Sequence, residues 1–533
     1  MCLGADSSGH TYIAGYNLIV KCGSNNNRTT RLEVNSSGIN VTGAITVNGA
    51  ALSSAPTIEL TANGAIAVNK PVIVNSSGQA EEVATTAASA GSGAEATTSS
   101  NSGTRVVGNG ANQYIIIWKG SGGIYARVAS VSGTTISYGT QATLESNVAG
   151  SWRDFDACYL PGKDAYAMVY DSSHSGQGIH TKCFTVSGTT ITVGSGTHLN
   201  NNNENNFGIA AVTRSGATGY SDGVYCLVHN DQSANRFFIR TMQPASTITN
   251  APTAKGMSYI GLSSVSNCQV AYEETVDKFF AVFKKGADVR CCTWDINVDY
   301  NVSRDNSGVI ILSNLTNTDE GRTVAVVWDS TSSKMIFSYN TTSSYNGYVR
   351  TLTYTNASTI TMGNEANLST NKQYIYVAVH DGKLYATYTD SSTALGDGDL
   401  KIRELTVSGT TVSLSTETTV TTDNHLQGAC FGGSGGVFMG YRNYSSSNRP
   451  TGYFYQGLSS NITSENFVGF SSAAISNGAS GTINVTGNTS TQSSLTAGQK
   501  YYVQGDGSLS TTTADPSVEA GVALSSTKLL IKG

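Results

Sequence analysis

Val131-Ser132-Gly133-Thr134-Thr135-Ile136 returns as Val186-Ser187-Gly188-Thr189-Thr190-Ile191 and again as Val407-Ser408-Gly409-Thr410-Thr411-Val412. Weaker echoes stand between, at Pro244-Ala245-Ser246-Thr247-Ile248 and Asn356-Ala357-Ser358-Thr359-Ile360. A turn phrase that recurs in this way marks a structural repeat, and a repeat decides architecture before any single motif does. Upstream of the phrase lies an apolar strand, seen at 113–118, 165–170, 224–228, 278–283, 334–339, 383–388 and 436–441. The spacing is roughly 50–60 residues, in the range of propeller blades. Most copies are apolar on both faces, as a strand sandwiched between sheets must be. A short strand precedes most of them (155–160, 324–328, 374–379), and an alternating strand follows (179–186, 400–407). Then come the Ser-Gly turn and an outer strand such as 190–193. Four strands joined by short turns make a blade. The chain is therefore predicted to be all-β, with residues 104–475 forming a seven-bladed β-propeller. The ring is expected to close where an outer strand near Phe467-Val468-Gly469-Phe470 meets the first blade. A linear β-solenoid is the competing architecture, but its rungs are shorter and more regular.

Composition agrees with β-structure. The 533 residues include 58 Gly and only 7 Pro, and 27 Tyr outnumber 14 Phe. Thr, Val, Ile and Tyr suit a pleated, half-buried surface, while Gly and Asn suit turns. Charged residues make up 13%, about half the usual share, which is too few for the wet faces of many long helices. The net charge of −5 and the lack of a basic cluster argue against nucleic-acid binding. No apolar run approaches the ~20 residues of a membrane-spanning helix. Met1-Cys2-Leu3-Gly4-Ala5-Asp6 lacks the charged and apolar regions of a secretory signal. Nine cysteines, mostly within apolar strands and at no metal-like spacing, read as buried small hydrophobes of a protein folded under reducing conditions. A Cys2–Cys22 disulfide is possible in principle but not indicated.

The flanks have a different texture. Residues 1–56 contain short alternating segments, such as 32–41, and are expected to be an N-terminal stem or attachment segment that self-associates. Residues 57–103 are β-rich and then dissolve, between Ala84 and Gly103, into an Ala/Thr/Ser/Gly run that reads as a linker. Lys500-Tyr501-Tyr502-Val503-Gln504-Gly505-Asp506-Gly507 matches the pattern of Lys70-Pro71-Val72-Ile73-Val74-Asn75-Ser76-Ser77-Gly78. Residues 57–103 are accordingly expected to pair with a C-terminal β-domain, 476–533, around an inserted propeller.

Searching for chemistry yields little. Propeller glycosidases need paired carboxylates, or a Tyr nucleophile with an acid partner and an arginine cluster. Sialidases also carry Ser-x-Asp-x-Gly-x-x-Trp boxes in their turns. Neither pattern is present, and Asp171-Ser172-Ser173-His174 lacks the Gly and Trp positions of such a box. The histidines (His10, His174, His180, His198, His229, His380 and His425) are scattered. Leu395-Gly396-Asp397-Gly398-Asp399 offers too few carboxylates for a calcium cage, and the asparagine run 200–206 reads as a loop. The expectation is a protein that is not an enzyme, with no catalytic, cofactor-binding or metal-binding residues and no cofactor. A polysaccharide-cleaving glycosidase or depolymerase is the alternative. Loops 171–178, 340–346, 390–399 and 443–449 each join the second and third strands of a blade, so the fold gathers them on one face. Their Ser, Asn, Asp, Gly and Tyr offer adaptable hydrogen bonds and aromatic anchors, the chemistry of glycan recognition. No individual ligand-binding residue stands out.

In three places the chain resembles tailed-bacteriophage fibre proteins of the cyanophage type. These are the stem phrase 32–43, the Val-Ser-Gly-Thr-Thr-Ile repeat, and the ending from Leu495-Thr496-Ala497-Gly498-Gln499-Lys500-Tyr501-Tyr502-Val503 through Gly521-Val522-Ala523-Leu524 to Gly533. The resemblance implies a virion structural protein, a homotrimeric tail fibre assembled in the host cytoplasm and released by lysis. Its implied partners are other tail proteins and a host cell-surface glycan, with no nucleic acid and no membrane insertion. A head or neck decoration without a receptor role is the further alternative. The resemblance carries over no functional residue.

Overall fold

The computed structural model describes residues 55–532 except 111–112, 147, 149–154, 173–177, 201–203, 213–222, 232–234, 263–264, 298, 314–323, 342–345, 381, 391–397, 434 and 515; before residue 55 it describes only short strands. The protein is all-β. Among the described residues the only helical turn is Pro161–Lys163. The chain divides into two compact units, residues 87–459, and residues 1–86 together with 460–533.

In residues 87–459 antiparallel sheets follow one another along the chain. Each second strand is apolar on both faces, and Ala165–Asp171 and Tyr225–Asp231 are buried at every position. Neighbouring sheets cover both sides, which is why these strands are not patterned. The outermost strands do alternate. In Thr135–Tyr138 and Thr411–Leu414, Ile136 and Val412 are buried while the threonines before them are exposed. The recurring phrase forms the hairpin that feeds this outer strand, with Ser132 opposite Thr135, Ser187 opposite Thr190 and Ser408 opposite Thr411. Its glycines take φ of +58°, +57° and +61° at the first central position, the backbone a type II′ hairpin requires. Where glycine is missing, at Asn356–Ala357–Ser358–Thr359, the Ser358 N–H donates to Asn356 Oδ1 at 2.9 Å instead.

The innermost strands are β1 (Gly103–Gly108), β2 (Phe155–Leu160), β3 (Glu204–Ala211), β4 (Val265–Glu273), β5 (Val324–Asp329), β6 (Lys372–His380) and β7 (Thr418–Gly433). Each packs against the next, and β7 returns to β1. This closed circle of inner strands is the organisation of a β-propeller. β7 has two roles. Thr418 to His425 pair with Gly398–Ser408 of the preceding sheet, and His425 to Gly433 pair with Gly436–Asn443.

Closure differs from the sequence expectation. Strand Arg449–Gln456 is covered by the segment that precedes β1, with Ser89 opposite Gln456, Ala90 opposite Tyr455, Ala94 opposite Gly452 and Glu95 opposite Thr451. Arg449 Nη1 lies 2.8 Å from Glu95 Oε2 beside this seam. The run 84–103 is thus no linker beyond residue 88. Its small residues answer to close approach: a Cβ at Gly91 would lie 2.1 Å from the Thr134 carbonyl oxygen, and one at Gly93 would lie 2.6 Å from the Tyr453 ring. Phe467–Ser471, expected to close the ring, belongs to the other unit and pairs with Pro71–Val74. The sequence boundaries at 103/104 and 475/476 therefore fall inside the two units.

The unit built from residues 1–86 and 460–533 contains two five-stranded sheets of the same order. The first runs Ala80–Glu82, Pro71–Val74, Phe467–Ser471, Ser480–Asn484, Thr57–Thr61; the second runs Leu509–Ser510, Lys500–Val503, Val518–Ala523, Lys528–Ile531, Thr489–Thr491. Ile73, Phe470, Tyr501, Val503, Val518 and Leu529 share one apolar core. Residues 57–86 thus pair with 467–484, while 489–531 complete a sheet of their own. Nearer the N-terminus, Thr29–Asn35 and Gly38–Val41 form a hairpin across the quoted stem phrase.

The seven described cysteines are free. Burial pushes the Cys226 thiol up to about 12, and Trp294 Nε1 donates to its Sγ at 3.3 Å. Cys2 and Cys22 lie outside the described side chains.

Candidate functional site

The inner strands converge on a cavity of about 390 Å³. Every one of them contributes a wall: Arg105 from β1, Asp156 from β2, Ile209 from β3, Gln269 from β4, Val327 from β5, Val377 from β6 and Phe431 from β7. A cavity of this size lies within the roughly 300–1,000 Å³ of small-molecule sites. Of the lining residues, Arg105 and Asp156 carry charge, on an otherwise apolar or neutral surface. Arg105 Nε stands 3.6 Å from Asp156 Oδ1, too long for a hydrogen bond. One guanidinium nitrogen donates to the Thr104 carbonyl at 3.0 Å. The group also lies 5.6 Å from the Phe155 ring centre. Arg105 Nε is buried and has no hydrogen-bond acceptor among the described residues.

Burial raises the Asp156 carboxyl to about 6, against the downward pull of Arg105 and of the Ala157 and Ile209 backbone amides. The carboxylate ionises near neutrality with its charge only loosely matched. Gln269 is half-buried on β4, and no hydrogen bond holds its amide to another described residue. The pocket therefore presents donors, an acceptor and apolar walls together. Sequence reasoning passed over all three polar residues. The available signal was a charged or amide side chain inside an apolar inner strand, as in Thr104-Arg105-Val106-Val107, Phe155-Asp156-Ala157-Cys158 and Cys268-Gln269-Val270-Ala271.

Of the four loops expected to gather on one face, 171–178, 340–346 and 390–399 lie largely outside the described residues. The fourth is built around Asn443, whose Oδ1 accepts from the Ser446 N–H at 3.1 Å. Tyr444 is exposed there. The register reveals a pattern the sequence reading missed: five second strands end on Asp171, Asp231, Asn340, Asp390 and Asn443, each the last residue paired with the third strand. Loops of unlike length and composition open from this one position.

Below these ends, a tyrosine–carboxylate–cation arrangement recurs. Tyr170 donates to Glu145 at 2.5 Å and Lys182 reaches the same carboxylate at 2.7 Å. Tyr339 donates to Glu365 at 2.6 Å, beside Arg350. Tyr388 donates to Glu417 at 2.7 Å, with Lys372 3.2 Å from it. Burial works to raise each carboxyl, but the hydrogen bonds and cations outweigh it and hold all three below the usual range. These groups are saturated by one another and serve as framework.

Among the described residues, the histidines do not assemble a site. His180 and His198 are cross-strand neighbours with ring centres 4.9 Å apart. His229 is buried and accepts from Arg240 Nε at 3.0 Å. The side chains of His10, His174, His380 and His425 lie outside what is described. Among the described residues, no group of His, Cys, Asp and Glu is placed to hold a metal ion. Of Leu395–Asp399, only Gly398 and Asp399 are described, and Asp399 takes Lys401 Nζ at 2.9 Å.

No family model matches the chain, and no curated protein matches it in sequence. Among solved structures, Trypanosoma rangeli sialidase in complex with sialic acid is 12% identical over 76% of this chain and 59% of its own, with a TM-score of 0.37. The β-propeller domain of Cps50 (Swd1) from Myceliophteria thermophila is 8% identical over 69% and 99%, with a TM-score of 0.42. The Dos1 propeller is 9% identical over 69% and 95%, with a TM-score of 0.38. The chain spans about 59% of the length of the sialidase it matches. The expectation of a protein that is not an enzyme is corrected at this point, because sialidases, which are glycosidases, stand among the similar structures. At these scores the likeness transfers no activity to this chain, and the absence of activity is no longer held.

Proposed function

We propose that the chain is a virion structural protein, a tail fibre acting in host-surface attachment, in which residues 87–459 form a seven-bladed β-propeller that binds glycan. The blade count rests on the circle β1 to β7, with the sheet around β7 completed by 89–95. The observation that carries the binding function is the set of second strands ending on Asp171, Asp231, Asn340, Asp390 and Asn443. A repeated frame that opens into dissimilar polar loops at one position supports recognition, since scaffold requirements alone would keep the loops alike. Their Ser, Asn, Asp and Tyr can bond sugar hydroxyls and stack on sugar C–H faces. In this proposal residues 1–56 are the stem of a homotrimer, joined to other tail proteins, on particles assembled in the host cytoplasm.

Immunogold labelling of particles tests the placement, and label on the tail is the expected outcome. Label confined to the head or neck overturns the tail-fibre assignment. Purified protein is expected to sediment with host polysaccharide and to slow particle adsorption. Failure of both overturns the binding role. Assaying the same mixture for released oligosaccharide reads the glycosidase alternative directly.

A further inference from the structure

The cavity on the ring axis is separate from the loop ends discussed above, and its chemistry points to a narrower ligand class. We infer that this axial pocket is a binding site for one neutral, hydroxyl-rich ring, a single sugar residue, held between Arg105, Asp156 and Gln269. The inference rests on the glycan-binding proposal and names the place and class of one contact.

Arg105 and Asp156 face each other at 3.6 Å without a hydrogen bond. A vicinal diol fits beside such a pair, one hydroxyl accepting from the exposed part of the Arg105 guanidinium and the other donating to Asp156. The Arg105 side chain is partly exposed, and it lines the cavity together with Asp156. A carboxylate ligand would satisfy the arginine but meet the Asp156 charge, and an ammonium ligand would meet the arginine. Neutral polar groups escape both repulsions. Gln269, without a hydrogen-bond partner among the described residues, offers a donor and an acceptor from another wall. Val327, Val377 and Phe431 supply the apolar surface on which sugar C–H groups pack. The cavity of about 390 Å³ sets the scale at a single ring.

The test uses the full chain at pH 7.5 with D-glucose, D-galactose, D-mannose and L-rhamnose, each followed by saturation-transfer NMR and calorimetry. At least one of them is expected to bind. Gln269→Leu keeps the volume and removes the amide, and is expected to weaken that binding about tenfold, the equivalent of one lost hydrogen bond. The double substitution Arg105→Leu with Asp156→Leu removes both charges together, since removing one partner of a buried pair leaves the other charge buried and uncompensated. It is expected to abolish binding. Met257→Ala, on an exposed outer strand, is expected to change nothing. Near-ultraviolet circular dichroism checks folding, and if the double variant fails to fold, Gln269→Leu alone decides.

The inference is overturned if none of the four sugars binds, if Gln269→Leu binds as the wild type does, or if D-galacturonate binds more tightly than every neutral sugar. Host polysaccharide co-sedimentation separates the two levels. Pocket variants that still sediment fully with polysaccharide sink the pocket and leave the glycan-binding role standing. A wild type that binds neither sugar nor polysaccharide sinks both.

Discussion

The two five-stranded sheets of the flanking unit are two copies of one design, and they differ most at one joint. In the second copy, the connection from Leu509–Ser510 to Val518–Ala523 is the loop 511–517. In the first, the same joint, from Ala80–Glu82 to Phe467–Ser471, contains the whole ring. Local details repeat on both sides of it. Asn75 N–H donates to the Gln79 carbonyl and Gly78 N–H to the Asn75 carbonyl, each at 2.9 Å; Gln504 and Gly507 make the matching bonds to Ser508 and Gln504 at 2.8 and 2.9 Å. Gly78 and Gly507 take φ of +76° and +77°. The strand after the joint carries a glycine at φ +150° in one copy (Gly469) and +145° in the other (Gly521). The comparison teaches that the ring is a cassette in the connection between two strands, Ala80–Glu82 and Phe467–Ser471, that flank Pro71–Val74 in the sheet. It also shows why a ring suits that place. Its last sheet is finished by the segment before its first strand, so Ser89 lies beside Gln456 and the cassette's two chain ends leave together. Insertions are tolerated where the ends of the inserted body are close.

The most severe way to break this comparison is to cut the cassette at the wrong place. A fragment of residues 87–459 is expected to unfold cooperatively, whereas one of residues 104–459, lacking 89–95, is expected to lose cooperative unfolding and aggregate. The exposed edge of Arg449–Gln456 is the reason, since an uncovered strand edge pairs with other chains. Denaturation followed by near-ultraviolet circular dichroism, with light scattering, reads both. Equal behaviour of the two fragments would remove the closing strand from the account. Replacing residues 83–466 with 511–517 is the complementary operation. The flanking unit is expected to stay folded, because the second copy already spans the joint with that loop.

How much of this was legible in the sequence depends on whether a signal is local. The Val-Ser-Gly-Thr-Thr hairpins and the two-faced apolar second strands could be read because a II′ turn demands glycine and a sandwiched strand demands apolar residues, whatever the rest of the chain does. The closing strand 89–95 was invisible. Its Ala, Gly and Ser are the composition of a linker, and only the close approach of Thr134 and Tyr453 gives them a structural meaning. Phe467-Val468-Gly469-Phe470 looked like an outer strand of the ring, and its real partner, Pro71–Val74, lies almost four hundred residues away. The duplication showed through in part, in the shared phrase after Lys70 and Lys500. Arg105, Asp156 and Gln269 were readable one at a time as polar intrusions. Their convergence required three strands from different repeats to be placed in one circle.

Smaller changes sharpen the match between the copies. A Cβ at Gly469 would lie 2.0 Å from the Asn484 carbonyl oxygen, and one at Gly521 would lie 1.9 Å from that of Leu530. Gly469→Ala and Gly521→Ala are each expected to destabilise the flanking unit by about 2–4 kcal/mol, backbone strain added to steric overlap. Gly78→Ala meets nothing within 4 Å and is expected to cost only the left-handed backbone term, about 1–2 kcal/mol. Urea unfolding measures all three. A Gly78→Ala variant as damaging as Gly469→Ala would show that the turn, not the close approach at Gly469, holds each copy.

The gentlest probe is pH, to which the two units respond through different carboxyls. In the flanking unit, hydrogen bonds from Asn75 and Asn63 lower Glu81, and hydrogen bonding by Ser508 lowers Asp506. Lowered groups contribute stability above their unfolded values and lose it as pH falls through the folded ones, so through these two carboxyls the unit is expected to weaken in acid. In the ring, burial lifts Asp156 to about 6 and Glu273 to about 7. Unfolded, the same groups ionise near ~3.9 and ~4.3. Between those values and the folded ones these two carboxyls hold more protons in the native ring than in the unfolded chain, so the stability they contribute falls as pH rises from about 4 to about 7, while the buried His229 and the lowered Glu145, Glu365 and Glu417 act in the opposite direction. In a Tm series on residues 87–459, Asp156→Asn should therefore remove a downward contribution to the slope below about pH 6 while leaving the Glu273 part in place. Whatever the substitution does to the absolute Tm, the slope isolates the buried carboxyl. An unchanged slope would mean that Asp156 is ionised throughout, with Arg105 close enough in solution to pair with it fully.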